Sequence, residues 1–234
     1  MTDFFRFPHT PHLIWLGEGV PRDDKVLVPA EASALLEGPV VVEEKLDGAN
    51  LGLSLDAHGD LRAQNRGQYL TVPHAGQFAR LPMWLETHAT TLHSVLTPNL
   101  IVFGEWCAAR HSLNYPSLPD WFLLFDVYDR NTSRFWSTAR RDVLAREAGL
   151  VTVPQLYQGQ TTVSKLQKMV ADTQSRYRDG TAEGVVIRRE SAQWCEARAK
   201  LVRPDFTQAI ATHWRNRAIK WNRIAYSNPD TSQA

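Results

Sequence analysis

Glu44-Lys45-Leu46-Asp47-Gly48-Ala49-Asn50 is the stretch on which the reading of this chain turns. Val40, Val41 and Val42 run into it, and a β-branched run of this kind predicts a buried strand. Asp47-Gly48 adds a turn signal just after the lysine. Lysine is rarely buried unless it is paired or used, and Glu43, Glu44 and Asp47 surround this one with negative charge. Two readings follow. Lys45 is the solvated tip of a charged hairpin, or it is a nucleophile that attacks phosphorus. The rest of the chain decides between them.

Outward from that stretch, Val40 to Arg66 reads as a β-meander: Leu51, Leu53 and Leu55 alternate with Gly52 and Ser54, and Asp56 to Asp60 is a turn cluster. Upstream, Pro29 to Leu36 predicts a short helix ended near Gly38-Pro39. Residues 4–29 predict an irregular wrap anchored by Phe7, Leu13, Ile14 and Trp15. Downstream, 74–96 predicts a helix broken at Pro82, with His88 and His93 outside any metal-binding spacing. Leu100 to Trp106 and Trp121 to Asp129 are strands that close on carboxylates. Ser137 to Gly149 predicts a helix with Ser137 as its N-cap and Gly149 past its end. Val163 to Tyr177 predicts another. Glu183 to Arg188 and Trp194 to Val202 predict two more strands. Phe206 to Tyr226 predicts a final helix, with Ile210, Trp214, Ala218, Trp221 and Ala225 on one face and Arg215, Arg217, Lys220 and Arg223 off it. Ser227 to Ala234 reads as a disordered tail, and residues 1–226 as one domain.

Composition narrows the field. The chain has 234 residues, 43% hydrophobic and 22% charged, enough to bury a full core. Its net charge of +1 means that any polyanion site is a local patch. Two cysteines, Cys107 and Cys195, make neither a disulfide framework nor a zinc spacing, and fit the cytosol. Met1 to Phe7 lacks a signal pattern, and no apolar run approaches the length of a membrane span, so the expectation is a cytoplasmic protein with no membrane partner.

The charges repeat one pattern. Lys45, Arg66, Glu105, Asp126, Glu183 and Lys200 each sit in or beside an apolar strand. Unpaired buried charges cost several kcal/mol each, so one shared cleft explains six of them better than six separate ion pairs. Strand alternation puts Arg198 and Lys200 on one face, and Phe125 and Asp126 on opposite faces with different jobs.

In this order the motifs resemble the covalent nucleotidyltransferase superfamily of ATP-dependent ligases and RNA capping enzymes, across residues 40–206. Glu44 to Asn50 is similar to its K-x-D-G motif, Asn65-Arg66-Gly67 to the arginine motif, and Phe103-Gly104-Glu105-Trp106 to the third motif. Phe122 to Tyr128 matches the aromatic-plus-aspartate strand, Glu183 to Arg188 the E-G-x-V-x-[KR] motif, and Arg198 to Leu201 the last lysine motif. F-G-E-W and F-D-V-Y look most like the phage nick-sealing RNA ligase branch. Arg198 departs from the family's K-x-K, keeping charge but not point-charge geometry. Too few residues follow Phe206 for the OB-fold of DNA ligases and capping enzymes, or for the helical RNA-binding domain of the phage type. The expectation is a minimal catalytic domain, with a partner protein supplying the missing domain.

The resemblance implies an α+β nucleotidyltransferase fold, ATP-grasp-like in its ligase adenylation form, with antiparallel sheets flanked by helices around an ATP cleft. It implies that Lys45 takes AMP from ATP, passes it to an RNA 5′-phosphate, and that a 3′-hydroxyl displaces it. Arg66 and Glu105 would hold the ribose and Phe125 stack on adenine. Lys200 and Arg198 would clamp phosphates, and Glu44, Leu46 and Asn50 line the nucleotide site. Glu183, with Glu105 and Asp126, would hold hydrated Mg²⁺ or Mn²⁺, and Asp47 would orient the catalytic group around Lys45 and Lys200. No G-x-x-x-x-G-K-[ST] sequence is present, so a P-loop is not the phosphate cradle. A free lysine is neutral in about one molecule in 2,500 at pH 7, so activation is expected only with nucleotide and metal in place. The competing readings are a DNA ligase, a GTP-using capping-type transferase, and a catalytically inactive nucleic-acid-end binding module. The interleaved basic and aromatic residues of His213 to Arg223 fit packing on the domain better than RNA contact.

Overall fold

The computed structural model describes residues 4–19, 21, 25–209 and 218–225. Two antiparallel sheets face each other across a cleft, each backed by helices, an α+β arrangement. The first holds β1 (Pro39–Lys45), β8 (Gln155–Gln160), β9 (Gly184–Glu190) and β10 (Cys195–Val202), in the order β10-β9-β1-β8. The second runs β3-β2-β4-β5-β6, from β2 (Ala49–Leu55), β3 (Leu61–Gln64), β4 (Leu100–Trp106), β5 (Phe122–Asp129) and β6 (Arg134–Phe135), with short β7 (Val151–Thr152) parallel to β5.

The predicted meander is therefore split. β2 and β3 form the expected hairpin, but β1 belongs to the other sheet. Leu46-Asp47-Gly48 is the crossing between sheets, not a hairpin tip. Gly48 permits that crossing: a Cβ there would stand 2.6 Å from the Trp106 carbonyl oxygen.

Period-two alternation sorts the first sheet. Val40, Val42, Val185, Ile187, Ala199 and Leu201 pack with Leu13, α1 (Pro29–Leu35) and α4 (Val163–Asp172). The alternate residues Glu43, Lys45, Val186, Arg188, Arg198 and Lys200 line the cleft. Gly184 is needed because a Cβ would run into the Leu201 carbonyl on β10. The second sheet buries Leu51, Leu53 and Val102 under α2 (Leu81–Val95) and α3 (Thr138–Ala148). Each such side chain contributes about 1.5–3 kcal/mol on burial. The N-terminal wrap covers Ile101, Phe103 and Tyr128 with Phe5 and Phe7, and runs parallel to β10 through His12 and Lys200, blunting that sheet edge. Phe7 and Leu13 are buried as anchors, while Ile14 and Trp15 are half-buried.

Helix signals hold at α1 and α3, where the Ser137 hydroxyl caps Arg140 N–H and Gly149 takes φ 65°. Elsewhere they need correction. Pro82 does not break a helix. It sits in the first turn of α2, where its missing N–H costs nothing, after a 3₁₀ turn at Gly76–Phe78. α4 stops at Asp172, not Tyr177, because Ser175 and Arg176 turn back onto Glu44. Among the described residues the final helix, α5, spans Pro204–Ala209. Residues 218–225 are not helical and pair through isolated bridges at Trp221 and Ile224: Arg110 N–H donates to the Lys220 carbonyl, and Leu118 N–H to that of Arg223. Ile210, Trp214, Arg215, Arg217 and the tail 227–234 lie outside the described residues. Among the described residues no helix is long and apolar enough to cross a membrane.

Candidate active site

The cleft between the sheets encloses about 590 Å³. Lys45 ends β1 opposite Gly184, which brings it beside Glu183 at the start of β9. The Glu183 carboxylate takes the ammonium at 2.7 and 2.8 Å. Glu105, paired across β2 with Asn50, accepts the Gly48 N–H at 2.9 Å. Lys200 and Arg198 line the same cleft from β10, and Arg66 enters from the end of β3. Residues far apart in sequence line one cleft with this amine.

Their charges are coupled. Burial alone would push the Lys45 amine down. The carboxylates of Glu183, Glu105 and Asp47 overcome it and hold the pKa above the ordinary value. Burial pushes Glu105 and Glu183 up to about 7, against the pull of Lys45. Lys45 is thus a stored, protonated amine, as its acidic surroundings predict.

Asp47 does not line the cleft, and Glu44 lines it while its carboxylate is engaged behind it. The Asp47 carboxylate accepts N–H groups of Ser112 and Leu113 at 2.7 and 2.6 Å, and its own N–H donates to the Tyr115 hydroxyl at 2.9 Å. That ties the crossing to the 107–118 loop. Strand alternation turns Glu44 to the opposite side from Lys45, where its carboxylate accepts Arg176 N–H at 3.0 Å. Leu46 and Asn50 stand at the cleft wall. The Asn50 Oδ1 and Arg66 Nε atoms are buried without a hydrogen-bond partner among the described residues, the kind of orphaned group that a polar ligand satisfies.

Phe125 and Asp126 do not face apart. Phe103 pairs with Asp126 and Gly104 with Leu124, so Phe125 is the extra residue of a β-bulge. The bulge resets the alternation, and both residues line the cleft. Asp126 is held by two cations, Arg188 at 2.8 Å and Arg198 in very close contact. It belongs to an ionic network that sequence reasoning missed. Arg141 of α3, buried, pairs with Glu43 at 2.6 Å and donates to the Phe125 carbonyl. Arg188 also reaches Glu190 at 2.7 Å. The network ties β1, β9 and β10 of one sheet to β5 and α3 of the other. Its signal was present: Thr138, Arg141, Ala145 and Ala148 fall on one helical stripe, with Arg141 inside it. Arg198 also lies over the Phe7 and Phe135 rings, at 4.6 and 4.1 Å.

Among the described residues no three His, Cys, Asp or Glu side chains are grouped to hold a metal ion on their own. Glu183 and Glu105 still fit a hydrated Mg²⁺, which takes one or two carboxylates and keeps its waters.

A family model described as RNA ligase matches residues 38–202. A Naegleria gruberi RNA ligase with PPi superposes with a TM-score of 0.61 at 20% identity, over 88% of this chain and 63% of that one. An archaeal ATP-dependent RNA ligase gives 0.60 at 21% identity, over 85% and 48%. An arginine-to-alanine mutant of the Naegleria gruberi enzyme, with ATP and Mn, gives 0.63 at 16% identity, over 87% and 63%. This chain therefore spans less than two thirds of the length of these solved structures, and their likeness establishes the fold. No curated protein matches it.

Proposed function

This chain belongs to the RNA ligase family, and from that premise we propose that it is an ATP-dependent RNA ligase working through a lysyl-AMP intermediate. The observation that carries the reading is the Lys45 amine held at 2.7 Å by Glu183 in a cleft that Glu105, Arg66, Arg198 and Lys200 also line. The RNA ligases of known structure with PPi, or with ATP and Mn, share the fold.

In the first step Nζ loses a proton and attacks the α-phosphorus of ATP. The N–P bond forms, the bond to the bridging oxygen breaks, and pyrophosphate leaves. The proton goes to solvent water, and Glu183, at 2.7 Å from the amine, is the charge whose pull the amine must escape. An RNA 5′-phosphate oxygen then attacks the lysyl-AMP phosphorus and frees the amine. A 3′-hydroxyl attacks the activated 5′-phosphorus, forming the phosphodiester and releasing AMP. Arg198 and Lys200 supply positive charge to phosphate oxygens. Asn50, Glu105 and Arg66 offer polar atoms to the nucleoside, and Phe125 a ring face. Mg²⁺ or Mn²⁺ would sit on Glu183 and Glu105, neutralising the charge that keeps Lys45 protonated. We read residues 1–226 as one catalytic unit acting in the cytoplasm on RNA ends, with a partner protein supplying further RNA contacts.

The test is substrate choice. Pre-adenylated RNA with a 3′-hydroxyl partner should be sealed, and the matching DNA substrate should be sealed poorly. Label from GTP but not ATP would instead assign a capping-type transferase, and no label from either an inactive binding module.

A further inference from the structure

Residues 218–225 lie beyond the region that the family model matches, and most of their side chains face solvent: Ala218, Ile219, Lys220, Arg223, Ile224 and Ala225 are exposed. Trp221 is half-buried against the main core, with the Arg80 guanidinium 4.3 Å over its ring. Asn222 is the strap's one fully buried side chain, 2% exposed. Its Nδ2 donates to the Cys107 carbonyl at 2.8 Å, and its Oδ1 accepts Tyr115 N–H at 2.9 Å. Its own N–H donates to the Ala108 carbonyl at 2.9 Å. One amide therefore bridges both ends of the 107–115 loop. Asparagine presents a donor and an acceptor side by side at this reach. Serine is too short, and aspartate lacks the donor.

That loop is the seat of the crossing after Lys45. Tyr115, fully buried, offers its hydroxyl oxygen to Asp47 N–H, and the N–H groups of Ser112 and Leu113 hold the Asp47 carboxylate. The next residue, Gly48, donates to Glu105. A continuous set of hydrogen bonds thus runs from Asn222 through the loop to the crossing that follows Lys45, and neither Asn222 nor Tyr115 lines the cleft.

We propose that Asn222 is a positioning residue for nucleotide transfer to Lys45, acting through Tyr115 and the 107–118 loop to fix the Asp47-Gly48 crossing. This rests on the ligase reading above. Displacing a reacting group by about 1 Å costs on the order of 100-fold in rate, so loss of the clamp should slow lysyl-AMP formation without removing the lysine.

The experiment follows transfer of α-labelled AMP to the full chain in Mg²⁺ and saturating ATP, recording rate and final amplitude separately. Asn222→Ala should reach the wild-type amplitude at a rate lower by about 10- to 100-fold. Tyr115→Phe, which keeps the Tyr115 N–H on Asn222 but removes the oxygen that Asp47 uses, should also be slow. The double variant should be little slower than the slower single one, since the two act in one chain of contacts. An Asn222→Ala protein labelled at the wild-type rate overturns the proposal. So does a lowered amplitude at an unchanged rate, which is the mark of a partly unfolded population, and so does full multiplication of the two defects. If Asn222→Ala does not fold, Tyr115→Phe decides alone: a wild-type rate overturns the proposal. A wild-type chain that takes no label refutes the ligase reading instead.

Discussion

Glu183 grips the Lys45 ammonium with both carboxylate oxygens, at 2.7 and 2.8 Å. The amine is therefore kept protonated until something else claims the carboxylate. With Glu105 and Asp47 also raising it, the amine's pKa lies above the ordinary value, and the rate of lysyl-AMP formation should rise with pH. Removing a nearby negative charge lowers a lysine pKa. In single-turnover labelling from about pH 6 to about pH 10, Glu105→Gln should reach its plateau at lower pH than wild type. A plateau moved to higher pH would contradict the assigned coupling.

Stability should carry the opposite slope from a surface carboxylate. Burial raises Glu105 from 4.5 to about 7, so the folded chain binds that proton more tightly than the unfolded one. Its contribution is fully present below about pH 4.5 and is lost as pH climbs toward 7. Relative to wild type, Glu105→Gln should gain stability between about pH 5 and about pH 8, by about 1–3 kcal/mol. The Gln oxygen can still accept the Gly48 N–H. Urea unfolding at the two pH values measures the difference.

The Arg141–Glu43 pair is buried on both sides, at 1% and 2% side-chain exposure. Arg141→Met would leave the Glu43 carboxylate with only the more distant Arg188, at 4.0 Å, at a cost of about 3–5 kcal/mol. Adding Glu43→Gln should restore a large part of that loss, because the charge that lost its close partner is gone. Additive losses in urea unfolding would mean that the pair is not coupled.

Asp126 and Glu183 should separate when magnesium is titrated. Two guanidinium groups neutralise Asp126, whereas Glu183 is paired with the Lys45 amine. Asp126→Asn should lower the unfolding midpoint and leave the Mg²⁺ concentration for half-maximal labelling within about twofold of wild type, while Glu183→Gln should raise it about tenfold or more, because a cation must displace two guanidinium groups from Asp126 but only the Lys45 amine from Glu183.

Much of this is legible without coordinates, and the reasons are local. Alternation in Leu51-Gly52-Leu53-Ser54-Leu55 and the Ser137 and Gly149 caps are short-range signals, and they locate β2 and α3. The convergence of Lys45, Glu105 and Glu183 is readable because each is a costly charge on an apolar strand. What escapes depends on pairing. That β1 and β2 part company at Gly48 is set by how close Trp106 comes. The bulge at Phe125 exists only against β4. Edge strand β8, with its polar Gln155 to Gln160, has no apolar period to read. The helical spacing of its neighbours predicts a helix at Asn222, yet its amide is used by a loop more than 100 residues earlier.

The decisive measurement is covalent labelling of the chain with α-labelled ATP and Mg²⁺, read on a denaturing gel beside Lys45→Ala. Label that is acid-labile, reaches one per chain and is absent from Lys45→Ala is the predicted result. Label that persists in Lys45→Ala, or a wild-type chain that never takes AMP, would contradict a nucleophilic role for this lysine.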